Sequence, residues 1–137
     1  MLRYLVSYFW AIVWAVIVLL LMGMASDDLP NVRFFVGFDK LAHCGCFFVL
    51  GVLLLFGTVT ASKGKGSKIG AVLSVGLVSG LFAFLTEAVQ FYLQTGRTAE
   101  WWDIFADFVG IGMAVFAYLV LYRKRSNQQP KSDPSIH

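Results

Sequence analysis

Hydrophobic residues in this chain run in four long stretches, and the ionisable ones gather in the gaps and at the ends. No Asp, Glu, Lys or Arg interrupts Tyr4 to Ser26, Leu41 to Ser62, Ile69 to Thr86 or Phe108 to Tyr122. The last two stretches lengthen past their nearest acid, to about Gln94 and back to about Trp102. A membrane crossing takes about 20 residues at about 1.5 Å of rise each, so every stretch becomes a transmembrane helix. The pattern predicts an all-α membrane protein: a bundle of four transmembrane helices over residues 1–125, then a polar tail at 126–137. That tail, rich in Ser, Gln, Lys and Pro, cannot bury apolar surface and is expected to be mobile.

The first stretch has the look of a signal peptide, with Arg3 before an apolar run and Gly23-Met24-Ala25 as a small-residue site. Its run of about 20 residues exceeds the usual 7–15, and it carries Tyr8, Trp10 and Trp14, so an uncleaved anchor is expected. Basic residues orient the bundle. Arg3, Lys63, Lys65, Lys68, Arg123, Lys124, Arg125 and Lys131 all fall on one side, which the positive-inside rule makes cytoplasmic. N-in, C-in topology follows. Seven of the eight acidic residues then face the other side, Asp133 being the exception.

Composition agrees, with 58% hydrophobic and 14% charged residues and a mean hydropathy of +0.74. The net charge of +3 does not point to nucleic acid. The basic residues read as topological signals and as contacts to anionic membrane lipids.

Ionisable groups near bilayer depth cost roughly 2.5–3.5 kcal/mol each on insertion scales and so ask for a reason. Residues three, four and seven apart share a helix face. Asp39, His43 and Cys46 therefore align on the second span, and Gly76, Gly80, Ala83, Glu87, Gln90 and Gln94 on the third. Asp103, Asp107, Gly110 and Ala114 align on the fourth. Each polar group ends a seam of small residues of the kind that lets helices approach closely, within one bundle or between two copies in a homo-oligomer. The expectation is one shallow polar pocket near the outer interface.

These residues carry a resemblance. Asp39-Lys40-Leu41-Ala42-His43, followed by Phe47-Phe48-Val49-Leu50-Gly51, resembles the entry motif of the VanZ-like family, named for a teicoplanin-resistance protein. Glu87-Ala88-Val89-Gln90, Gly96-Arg97, Trp102-Asp103-Ile104 and Gly110 resemble its second half, and the match covers about residues 38–116. The family usually has Asn where this chain has Asp107, which adds a negative charge. The resemblance implies a multi-pass protein of the bacterial cytoplasmic (inner) membrane, linked to the cell envelope, with some members affecting glycopeptide sensitivity. It implies no settled molecular activity, so mechanism has to come from the residues.

In the expected pocket Asp39, Glu87, Asp103 and Asp107 outnumber Lys40 and Arg97. Such an excess needs a proton, a cation or a cationic ligand. Three readings stay open. In one, Glu87 is protonated and the others form a structural ion-pair network. In the second, His43 and two or three carboxylates bind a divalent cation as cofactor, with Lys40 and Arg97 holding a phosphate or carboxylate. Such a site would act as a metal-assisted hydrolase or transferase on a lipid-linked cell-wall precursor. The third binds a lipid headgroup or envelope ligand without turnover. Asp39, His43, Glu87 and Asp107 are the catalytic or ligand set; Lys40 and Arg97 contact an anion, Gln90 orients, and Asp103 supports Arg97.

Transport is disfavoured, because alternating access wants its ionisable group near the midplane. Cys44 and Cys46 lack metal or redox spacing and read as buried thiols. Trp101 and Trp102 read as interfacial anchors. No Ser-His-Asp order, phosphate loop or H-E-x-x-H run occurs.

Overall fold

A computed structural model describes residues 2–23, 37–93 and 101–126 of the chain. These residues form four helices and no strand: α1 (Leu2–Gly23), α2 (Phe38–Ala61), α3 (Lys68–Leu93) and α4 (Trp101–Ser126). All four are long and apolar enough to cross a membrane. Only 22–33% of the most apolar window of each is buried. Leu73, Leu77, Leu81, Phe56 and Phe116 accordingly point outward, an arrangement water would penalise and acyl chains would not. The fold fits a multi-pass membrane protein.

The loop between α2 and α3 is short because Lys63 (φ 52°) and Gly64 (φ 73°) turn it in the left-handed region. Its amides bond back to the carbonyls of Val59, Thr60 and Ser62, which closes the end of α2. α3 therefore returns antiparallel to α2. α1 also lies antiparallel to α2: the Tyr8 hydroxyl is 3.0 Å from Thr58 Oγ1, and Trp14 Nε1 donates to the Cys46 carbonyl at 3.0 Å. The Arg3 guanidinium donates to the carbonyl of Ala61 near the same end. α4 runs parallel to α2, as the pairing of Lys40 with Asp103 and His43 with Asp107 shows. α2 and α3 form the inner pair, and among the described residues α1 and α4 do not meet.

Small residues set the spacing. A Cβ on Gly110 would overlap the Cys44 carbonyl and approach Phe48 N to 2.9 Å, and one on Gly51 would sit 2.8 Å from Ala114 Cβ. α2 and α4 thus touch backbone to backbone, the contact that small-xxx-small seams permit. Gly57 makes room for the Tyr8 ring in the same way. Phe47, Leu50, Val18, Met22, Ala83 and Ile111 fill the core on the polar-cluster side of the bundle, and Leu55, Val75 and Ala114 fill the other half.

Helix limits differ slightly from the charge-free runs. α2 begins before Asp39 and Lys40, because a charged residue in a first turn does not stop a helix and Asp39 favours the positive dipole end there. Gly37, at φ 93°, supplies the left-handed turn into it. The tail at 127–137 and the segments 24–36 and 94–100 lie outside the described residues.

Candidate functional site

The alternating helix directions bring four ends together: the end of α1, the start of α2, the end of α3 and the start of α4. This is where the ionisable residues lie. His43 and Asp107 face one another across the α2–α4 seam, with Nδ1 to Oδ1 at 3.0 Å and side-chain exposures of 1% and 0%. They meet because Gly110, less than one turn along α4 from Asp107, lets that helix rest on the backbone at Cys44, the residue after His43. One turn nearer the end, the Lys40 ammonium donates to Asp103 Oδ1 at 3.1 Å. Lys40 is partly exposed and Asp103 is buried.

Glu87 enters from α3. It is buried, and neither carboxylate oxygen has a hydrogen-bond partner among the described residues. His43 Nε2 and Asp107 Oδ2 are also buried and unpartnered there. Buried polar atoms are nearly always satisfied, and each that is not costs about 1–3 kcal/mol, more for a charged group. Four such atoms on three helices at one place set this cluster apart from a closed structural network.

Two groups of ligand-type atoms result, each within 4.8 Å of one another: His43 with Glu87 and Asp107, and His43 with Asp39 and Asp103. The first is wholly buried; the second opens outward through Asp39, which is exposed. His43 belongs to both. These are the residues that could hold a metal ion. Cys44 and Cys46 are half-buried free thiols and join neither group.

Gln90, one turn beyond Glu87, is buried and directs its amide nitrogen to Met22 Sδ at 3.6 Å, closing α1 over the cluster. Thr86 is buried too, but its hydroxyl returns to the Ala83 carbonyl at 2.8 Å and takes no part.

Of the residues expected from the sequence, Asp39, Lys40, His43, Glu87, Gln90, Asp103 and Asp107 all come to this end of the bundle. Arg97 lies outside the described residues, and so does its expected support by Asp103; what Asp103 is seen to hold is Lys40. Cys46 is only half-buried, and Gly76 also lies off the fully buried seam. Trp101 and Trp102 are exposed. The share of α1 was not expected: Trp14 pins α2 one turn below His43, and Met22 covers Gln90. Neither carries a signal in sequence, since an apolar residue on an apolar helix has no distinctive spacing.

Comparison with protein-family models, with curated proteins and with solved structures gives no match. The functional reading rests on the chain's own residues.

Proposed function

We propose that this chain is an integral membrane protein of the bacterial cell envelope, lying N-in and C-in in the cytoplasmic membrane. Its polar end opens to the outer leaflet and binds, and processes, the headgroup of a lipid-linked or envelope ligand. The orientation is supported by the basic residues at the opposite end: Arg3, the Lys63, Lys65 and Lys68 loop, and the last turns of α4. The motif order that resembles the VanZ-like family supports the envelope setting.

The carrying observation is the graded polarity of the site. At the rim, exposed Asp39 and the partly exposed Lys40–Asp103 pair offer charge to an entering headgroup. Behind them, unsatisfied atoms of His43, Glu87 and Asp107 wait in a buried setting. Four such atoms on three helices are more than packing alone accounts for, since each stands at a desolvation cost that a proton, a water or a bound group must recover. Lys40, together with Arg97, would hold a phosphate or carboxylate. Glu87, with both carboxylate oxygens open, would take or give the proton of the reacting group.

A second reading draws on the two cross-helix pairs themselves. Lys40–Asp103 and His43–Asp107 both bridge α2 and α4, so the cluster could act as a structural clasp that binds an envelope lipid without turnover. One experiment separates the two. Full-length protein in nanodiscs is incubated with a lipid-linked cell-wall precursor, and bound and converted lipid are measured for wild type and Glu87→Gln. Binding and conversion by wild type, with conversion lost in a folded Glu87→Gln variant, support processing. Binding without conversion in both leaves the clasp reading, and no binding in either rejects both.

A further inference from the structure

We infer that His43, Glu87 and Asp107 form a binding site for one divalent transition-metal ion, with Asp39 and Asp103 as its entry. The inference rests on the reading proposed above and on the same buried open atoms, to which the spacing of the ligand-type atoms is added. Three ligand-type atoms, one from each of α2, α3 and α4, already lie within 4.8 Å of one another. His43 and Asp107 are already joined across the seam, Nδ1 to Oδ1 at 3.0 Å, by a hydrogen bond. Adjacent ligands on an ion with bonds of about 2.1 Å stand about 3.0–3.4 Å from each other, so the two residues are spaced to share an ion once it displaces the proton of their hydrogen bond. Glu87 supplies the third side with two oxygens that have no other partner among the described residues.

Charge selects the valence. A neutral imidazole and two carboxylates carry a charge of about minus two, and a divalent cation makes the centre neutral inside a low-dielectric bundle. A monovalent ion would leave net charge buried. Ligand type selects the metal: calcium and magnesium want six or more oxygens, whereas one nitrogen and two carboxylates suit zinc, manganese or cobalt. Three protein ligands leave a coordination position open, the arrangement of catalytic rather than structural sites. A headgroup phosphate or a water could occupy it.

An ion would enter past Asp39 by displacing the Lys40 ammonium from Asp103. Asp39, His43 and Asp103 form the second group within the same 4.8 Å limit, and Asp39 is exposed. A hydrated ion captured at Asp39 meets His43 next, and His43 belongs to both groups. The ion answers the open carboxylate of Glu87, and His43 Nε2 and Asp107 Oδ2 are left to a water or to the ligand that enters with it.

The test uses the full-length protein in nanodiscs, stripped with EDTA and titrated with Co²⁺, then separately with Zn²⁺ and Mn²⁺. One ion per chain is expected, with a visible Co²⁺ absorption band typical of nitrogen and oxygen ligation. Glu87→Gln and Asp107→Asn should each weaken binding by about 100-fold, the upper end of what even outer-shell changes cost metal sites. Ser79→Ala, a change at a buried hydroxyl outside both groups, should leave affinity unchanged. His43→Ala is the harsher probe; if it fails to fold, the near-isosteric Glu87→Gln carries the test. A flat titration, binding that ignores Glu87→Gln, or binding lost only on Asp39→Asn would overturn the inference. Lipid binding that persists in EDTA beside a flat titration would refute the metal alone. A stoichiometric ion lost in Glu87→Gln, with no lipid bound, would refute the lipid reading alone.

Discussion

Replacing Gly110 by alanine is expected to open the α2–α4 seam and dismantle the site from a distance. The added Cβ would overlap the Cys44 carbonyl and lie 2.9 Å from Phe48 N. Ordinary carbon contacts are about 3.5 Å, so the Phe48 contact asks the helices to part by about 0.6 Å and the overlap with the Cys44 carbonyl by about 1 Å or more. The neighbouring atoms are backbone and cannot rotate away. Overpacking of this kind costs about 1–3 kcal/mol. Separation also stretches the buried His43–Asp107 pair, now at 3.0 Å, and losing such a pair costs about 3–5 kcal/mol when complete. A net loss of about 2–4 kcal/mol is expected for a partial opening. Gly112→Ala is the internal control: nothing lies within 4 Å of its Cβ position, and alanine favours a helix by about 1 kcal/mol over glycine. Both variants are compared by thermal unfolding in the same detergent. Gly110→Ala should melt well below wild type and Gly112→Ala at or above it. Equal melting temperatures for the two would refute the backbone-contact account of the seam.

Other consequences follow from single contacts. Asp103→Ala should cost about 1 kcal/mol or less, since the Lys40 it releases is 40% exposed and returns to solvent. Lys40→Ala should cost about 1–3 kcal/mol, because it leaves the buried Asp103 carboxylate without that partner; a double-mutant cycle by thermal unfolding checks the coupling. Trp14→Phe removes the Nε1 bond to the Cys46 carbonyl but keeps an aromatic ring, so about 1 kcal/mol of stability should go without loss of ligand binding. Ser79→Ala should be neutral or mildly stabilising in the same melts, because its buried hydroxyl has no partner among the described residues.

The four helices were legible because charge-free runs of bilayer length leave few alternatives. Much of the site was legible for a related reason: an acid or a histidine on an apolar helix stands out, and helical spacing assigns its face. Asp103, Asp107, Gly110 and Ala114 form a fully buried face of α4, and Gly80, Ala83, Glu87 and Gln90 one on α3. Helical spacing does not encode how far each helix turns about its own axis against the next. That rotation leaves Asp39 exposed and Cys46 half-buried while His43, on the same side, is buried. Nor could spacing choose partners, since Lys40 and Arg97 are both within reach of Asp103 by count alone. The roles of Trp14 and Met22 depend on contacts between α1 and the inner pair, which an uninterrupted apolar helix does not announce.

Native mass spectrometry of the full-length protein, released directly from membranes without chelator, tests the working site most directly, because one spectrum reports bound ion and bound lipid together. Wild type should carry the mass of one divalent transition-metal ion and of a headgroup-bearing lipid, and Glu87→Gln should lose the ion while remaining folded. Bare protein mass in both samples would contradict a built binding site at this end of the bundle.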